Sequence, residues 1–285
     1  MLSEEFKKHY PFNSHYYQID GKKYHYIDEG SGPVLLLMHG NPTWSFYYRN
    51  LIKHFSSSYR VICPDHIGCG FSDKPKDYDY CLKNHYSNVI SLLNHLGINE
   101  FDMVVHDWGG AIGFGAVCNG QFNVNKVAVL NTAAFTDDNI PFSIWLCKIP
   151  VLGPFIVKQF NAFAWPATFM AVTRKLPKFI KKCFLLPYSS PDNRIAISEF
   201  VRDIPMFSGH KSWSEIKNIE VFLNNFKGQI GLFWGGKDFC FNDHFLQRWQ
   251  AIFPKAPLTY YRDAGHYVLE DARGKIEEDL SRFFA

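Results

Sequence analysis

The sequence is short of several features that would have assigned it quickly. Its seven cysteines, at 63, 69, 81, 118, 147, 183 and 240, include no C-x-x-C pair. An odd count without paired spacing fits reduced thiols, as in a cytoplasmic protein, better than a disulfide frame or a zinc site. No apolar run reaches the roughly 20 residues that a membrane helix needs. The N-terminal MLSEEFKKHY has early acids and no apolar stretch, so no secretory leader is expected. Lys and Arg are scattered, the net charge is only +3, and no basic stripe points to nucleic acid. The Gly-rich IGCGFS at 67–72 is not followed by G-K-[ST], which excludes a phosphate loop. No dinucleotide fingerprint, metal-ligand spacing, internal repeat or low-complexity tract occurs, so neither a cofactor nor a metal is expected.

What is present reads as a globular enzyme-sized chain. With 285 residues, 47% of them hydrophobic and 20% charged, it can bury one large core and still carry an insertion. HYYQID and KYHYIDEG predict a hairpin turning at Asp20-Gly21. PVLLLMHG is a short apolar strand, WSFYYRNLIKHF has helical spacing, and RVICPDHIGCG is the next strand. YCLKNHYSNVISLLNHLG is an amphipathic helix closed by Gly97, followed by strand FDMVVHDW, helix AIGFGAVCN and strand VNKVAVLNTAA. After a proline-broken stretch with no strand, helix IKNIEVFLNNF, strand QIGLFWGGKD, helix NDHFLQRWQAIFP, strand APLTYYRDAGH and helix GKIEEDLSRFF restore the rhythm. Repeated β-α units predict an α/β fold, a mostly parallel sheet with helices on both faces. The division expected is a core of 1–134 and 216–285 with a helical cap, or lid, over 135–215.

Within VVHDWGG, residues 104–110, an aspartate stands where a buried strand runs into a helix. A sharp strand-to-helix turn of this kind presents a nucleophile in serine hydrolases with the pattern G-x-S-x-G. Here Asp107 replaces the serine and Val105 the first glycine, while Gly109 and Gly110 keep the turn compact. The positive helix N-terminus suits an ionised carboxylate, and Asp107 also fits a plain N-cap. The exchange has a chemical consequence. A serine that displaced a leaving group from saturated carbon would form an inert ether, whereas an aspartate forms an ester that water can cleave. Asp107 therefore points to attack on carbon bearing a good leaving group or on a strained ring.

Such a nucleophile needs a base and an acid that orients it. His266, in RDAGHYVLEDA, and Asp238, in FWGGKDFCF, each follow a predicted strand. The order Asp107, Asp238, His266 is the nucleophile–acid–histidine order of this architecture. HGNPTWSFYYRNL, residues 39–51, suits an oxyanion hole built from the backbone N–H groups of Asn41 and Trp108, with His39 ordering the loop. The side chains of Asn41 and Trp108 add N–H donors for a departing anion. His106 reads as structural. In the cap, Phe142, Ile144, Trp145, Phe163, Trp165, Phe169 and Met170 either pack on the core or line an apolar pocket for a small hydrophobic substrate. FSIWLCKIPVLGPFIVKQF suits contact with a membrane surface or a partner, but its lysines and prolines rule out a spanning segment.

HGNPTWSF, PDHIGCGFSDKP, VVHDWGG, WGGKDF and DAGHYVLEDA together resemble the haloalkane dehalogenase branch of the α/β-hydrolases over nearly the whole chain. The resemblance implies an Asp107 nucleophile, a His266 base, and a leaving anion held by Asn41 and Trp108. One branch takes its acid after the sixth strand, where this chain has the neutral Asn131, so the acid is expected at Asp238. PDHIGCG, LNTAAF, NRIAISEFVRDIP, FLQRW and AGHYVLEDA are more similar to the β-lactone decarboxylases of long-chain olefin biosynthesis. That likeness implies conversion of a cis-β-lactone to an alkene and carbon dioxide, and a complex with olefin-biosynthesis enzymes, including the β-lactone synthetase. The alternatives are a haloalkane dehalogenase, an epoxide hydrolase and a catalytically dead binding protein. Epoxide opening needs two cap tyrosines, and only Tyr188 lies within 135–215.

Overall fold

The computed structural model describes residues 3–285; Met1 and Leu2, the start of the segment not expected to be a leader, lie outside the described residues. A short helix, α1 (Glu4–His9), precedes the hairpin of β1 (His15–Ile19) and β2 (Lys22–Glu29). The α1 segment carries little sequence signal, because one turn and a half, capped by Ser3, is too short for a periodic pattern. The hairpin turns at Asp20 and Gly21, both at positive φ, as a two-residue turn between twisted strands requires. The chain continues through β3 (Val34–Met38), a 3-10 turn, α2 (Arg49–Phe55), β4 (Arg60–Pro64), α3 (Leu82–His95), β5 (Glu100–Asp107), α4 (Trp108–Asn119) and β6 (Asn123–Thr132).

The next strand comes only at β7 (Gln229–Gly235). Between them lie α5 (Phe142–Lys148), α6 (Leu152–Phe160), α7 (Ala164–Met170), α8 (Lys178–Leu185), α9 (Ile195–Arg202) and α10 (Trp213–Leu223). The last of these starts inside the expected cap and packs on α4 of the core. After β7 come α11 (Asp243–Ile252), β8 (Leu258–Tyr261), α12 (Val268–Asp271) and α13 (Lys275–Phe284).

The eight strands form one sheet in the order β1-β2-β4-β3-β5-β6-β7-β8. Only the pairs made by β2 are antiparallel; the rest are parallel. Side-chain alternation divides the core into two layers. Leu35, Leu37 and Val104 face α2 and α13, whereas Leu36, Met38 and Val105 face α3, α4 and α11. Both faces are covered, so the central strands are apolar throughout, and each fully buried aliphatic side chain contributes about 1.5–3 kcal/mol.

The strand order reverses between β3 and β5, which open a crevice at their carboxyl ends, where open α/β sheets bind ligands. Met38 pairs with Val105 there, so the loops leaving the two strands emerge side by side.

Candidate active site

Asp107 is the last residue of β5, and its φ of 52° and ψ of −130° turn the chain sharply into α4. A non-glycine residue in that region is strained and persists only when its surroundings fix it. The fixing is visible at two glycines. A Cβ on Gly109 would meet the Met38 carbonyl oxygen at 2.0 Å, and one on Gly40 would meet Asp107 Oδ1 at 1.9 Å. The Asp107 side chain makes no capping bond to α4, so the N-cap reading is not what the structure has. Its carboxylate instead faces the crevice. The Asn41 backbone N–H donates to Oδ1 at 2.6 Å, and the adjoining Trp108 main-chain N–H favours the charged form of the same carboxylate.

The structure brings the three expected side chains together. His266, in the loop after β8, donates from Nδ1 to Asp238 Oδ2 at 2.8 Å, and its Nε2 lies 3.6 Å from Asp107 Oδ2. Asp238, three residues beyond β7, is held in place by the backbone N–H groups of Cys240 and Phe241 on Oδ1. Asn131, the neutral residue at the other candidate acid position, brackets Gly235: its Oδ1 accepts from the Gly235 N–H and its Nδ2 donates to the carbonyl. It anchors the end of β7 rather than facing the histidine.

Burial alone would lower the His266 pKa, but the Asp238 and Asp107 carboxylates reverse this and raise it to about 10. Burial pushes the Asp107 carboxyl up, yet the opposing His266 and the Trp108 N–H hold it below the ordinary carboxylate range. The resting pair is therefore carboxylate and imidazolium, oriented by Asp238.

Two apolar cavities meet at Asp107. One runs past Trp108 toward Ile216 and Phe245; the other runs past His266 toward Ala167 and Met170. Asn41, Asp107, Ile144, Phe163 and Cys240 line both. Of the cap residues singled out from the sequence, Ile144, Phe163 and Met170 line cavities, while Phe142, Trp145, Trp165 and Phe169 are exposed. Asn41 and Trp108 both border the site, but one Asn41 amide hydrogen is taken: Nδ2 donates to the Ile197 carbonyl of α9 at 3.2 Å. His39 ties down the loop after β3, donating from Nδ1 to the Gly40 carbonyl and accepting at Nε2 from the His66 N–H. Tyr188 is buried and donates to the Thr43 carbonyl at 3.3 Å.

His106, expected to be structural, touches the His266 loop. Two supports were not legible in the sequence: the Cys240 and Phe241 N–H groups that hold Asp238. Both are main-chain groups, which leave no residue-type signal.

The chain belongs to the alpha/beta hydrolase fold family, whose model matches residues 33–272. Within that family of enzymes it is 40% identical over 281 residues to the cis-3-alkyl-4-alkyloxetan-2-one decarboxylase of Shewanella oneidensis, covering 96% of this chain and 88% of the relative. It is 28% identical to haloalkane dehalogenase 2 of Mycobacterium tuberculosis, over 94% of this chain and 93% of that one. The crystal structure of haloalkane dehalogenase DbeA from Bradyrhizobium elkani matches with a TM-score of 0.88 at 21% identity, over 95% of this chain and 97% of that chain; this is a likeness of fold. Among the described residues no helix is long and apolar enough to cross a membrane.

Proposed function

We propose that this chain removes carbon dioxide from a long-chain cis-β-lactone, a cis-3-alkyl-4-alkyloxetan-2-one, and releases an alkene. The observation that carries the reading is the position of Asp107 at the junction of two apolar cavities. A reacting ring with an alkyl chain on each of two adjacent carbons fits that junction, one chain to a cavity. The decarboxylase relative supports the same substrate class.

In this reading Asp107 Oδ2 attacks the saturated ring carbon that bears the ring oxygen. That C–O bond breaks, and the ring opens to a carboxylate beside the Asn41 and Trp108 side chains. Loss of carbon dioxide then returns the C–C bond pair to form the alkene and expels the Asp107 carboxylate. No water is consumed. The His266 imidazolium, steadied by Asp238, stabilises the oxygen that regains its charge as Asp107 departs, while the Asn41 and Trp108 N–H groups hold the other oxygen. Residues 135–215 act as the cap over a core of 1–134 and 216–285. Assembly with the lactone-forming enzymes of olefin biosynthesis, in a cytoplasmic setting, belongs to the same proposal.

The test is product analysis with a purified cis-β-lactone. Equimolar alkene and carbon dioxide are expected; a ring-opened hydroxy acid in place of alkene overturns the reading.

A second reading, alkyl-halide hydrolysis, is favoured by Asn41 and Trp108 beside the carboxylate. Alkylation of Asp107 would remove its charge, one cause of the raised His266 pKa, and free the imidazole to activate water. Halide release from a long-chain bromoalkane tests it, and its absence across chain lengths removes it. Epoxide opening lacks support, since the cap's one tyrosine is spent on Thr43.

A further inference from the structure

Between Pro141 and Leu185 the chain has seven basic residues, Lys148, Lys158, Arg174, Lys175, Lys178, Lys181 and Lys182, and not one acid. The whole molecule carries only +3, so positive charge is concentrated on α5–α8. The same segment exposes aromatic side chains in contacting pairs: Phe142 with Trp145 at 5.8 Å, Phe155 with Phe160 at 5.8 Å and Trp165 with Phe169 at 5.0 Å. Phe142 is 70% exposed and Phe160 69%. Water-exposed aromatic pairs of this kind mark an interaction surface. Basic and aromatic groups are neighbours: Lys181 Nζ lies 5.9 Å from the Phe169 ring centre, joining α8 to α7. Lys148 stands apart, its ammonium spent on the carbonyls of Val201, Arg202 and Ile204.

We propose that this face of the cap docks on an anionic lipid bilayer, with its aromatics at the headgroup–acyl boundary and its lysines on anionic headgroups. A second copy of the chain is a poor occupant, because a two-fold contact would set this basic segment, which has no acid of its own, against itself. An apolar protein partner would leave the lysines without counter-charge. Continuity with the site supports the bilayer. Met170 is exposed and also lines the cavity that reaches Asp107 and His266, so that cavity opens on the docking face. A long-chain substrate would then pass from the acyl layer to the carboxylate without crossing water. The proposal does not depend on which substrate is turned over.

The experiment is co-sedimentation of the full chain with vesicles of phosphatidylcholine alone or with about 30% phosphatidylglycerol, at about 0.1 and 0.5 M salt. Binding to the anionic vesicles that weakens in high salt is expected. Lys178→Glu, Lys181→Glu and Lys182→Glu together should lower affinity about a hundredfold, and Phe155→Ser with Phe160→Ser should release the protein. None of these side chains lines either cavity, so turnover of a soluble short-chain lactone should not change. Absence of vesicle binding, equal binding of the charge-reversed variant, or a dimer that dissociates on Phe155→Ser overturns the proposal. Loss of lactone turnover with vesicle binding intact would count against the proposed reaction alone.

Discussion

His106 donates from Nε2 to the main-chain carbonyl of His266 at 2.9 Å. The residue preceding Asp107 therefore holds the loop that presents the imidazole opposite it, and the two rings lie 4.5 Å apart. Burial and the neighbouring His266 charge lower the His106 pKa to about 3, so it remains a neutral donor throughout the physiological range. His106→Phe keeps a ring of similar shape and removes the donor. A drop in kcat of about tenfold with little change in KM is expected, the mark of a positioning residue, and His106→Gln should recover part of it. A variant that loses thermal stability but keeps kcat would reduce His106 to packing.

Replacing His266 separates the two chemistries. His266→Gln removes the base, so a bromoalkane should leave a stable alkyl ester on Asp107, seen as a mass increase on the peptide containing residue 107. With the lactone the same variant should slow alkene release by about a hundredfold or more, through loss of the cation facing the departing carboxylate, and yield no hydroxy acid. Asp107→Ala should give neither adduct nor alkene. A His266→Gln protein that never acquires mass from any electrophile would remove Asp107 as the nucleophile.

The pH dependence of stability follows from the raised histidine. Its folded pKa of about 10 lies above the ordinary 6.5, so the imidazolium stabilises the fold fully below pH 6.5, and this contribution is lost as pH rises through about 10. Asp107 is shifted the other way, below its ordinary 3.8, so its contribution is present above that value and disappears in acid. The Tm difference between wild type and His266→Gln should therefore be widest between about pH 4 and 6.5 and narrow steadily toward pH 10. A difference that grows with alkaline pH contradicts the ion-pair geometry.

Much of this site was legible because the chemistry sits at strand ends. Asp107 ends β5, while Asp238 and His266 lie in the loops that follow β7 and β8, and the parallel order of those strands gathers their carboxyl ends. The forking of the pocket was not legible. It arises because Ile144 of α5 and Phe163, just before α7, converge on Asp107 from parts of the cap with no strand register to fix them. Nor was the partial use of Asn41, since its acceptor, the Ile197 carbonyl, lies 156 residues away on α9.

The fork can be tested one cavity at a time. Ile216→Phe narrows the cavity beside Trp108, and Ala167→Phe narrows the one beside His266. Assayed with unsymmetrical lactones bearing one long and one short chain, each variant should lose activity for one regioisomer by about tenfold or more and spare the other. Equal losses for both regioisomers in both variants would mean that the chains share one cavity.

Arg49 of α2 and Glu270 of α12 form a buried bidentate pair, with Nη1 on Oε1 at 2.5 Å and Nη2 on Oε2 at 2.9 Å. Both side chains are nearly inaccessible, and the guanidinium also covers the Phe46 ring at 4.3 Å. Because α12 begins two residues after His266, the pair fastens the histidine loop to the helix behind it. Removing one partner strands the other charge in the interior. Arg49→Met should cost about 3–5 kcal/mol, a fall in Tm of about 10 °C for a chain of this size, and should lower kcat as the His266 loop loosens. Arg49→Met combined with Glu270→Leu should recover most of the stability, since an apolar pair carries no desolvation penalty. Denaturant unfolding of the two variants decides the point: a single substitution costing less than about 1 kcal/mol would make the pair an exposed-type contact, with no hold on the histidine.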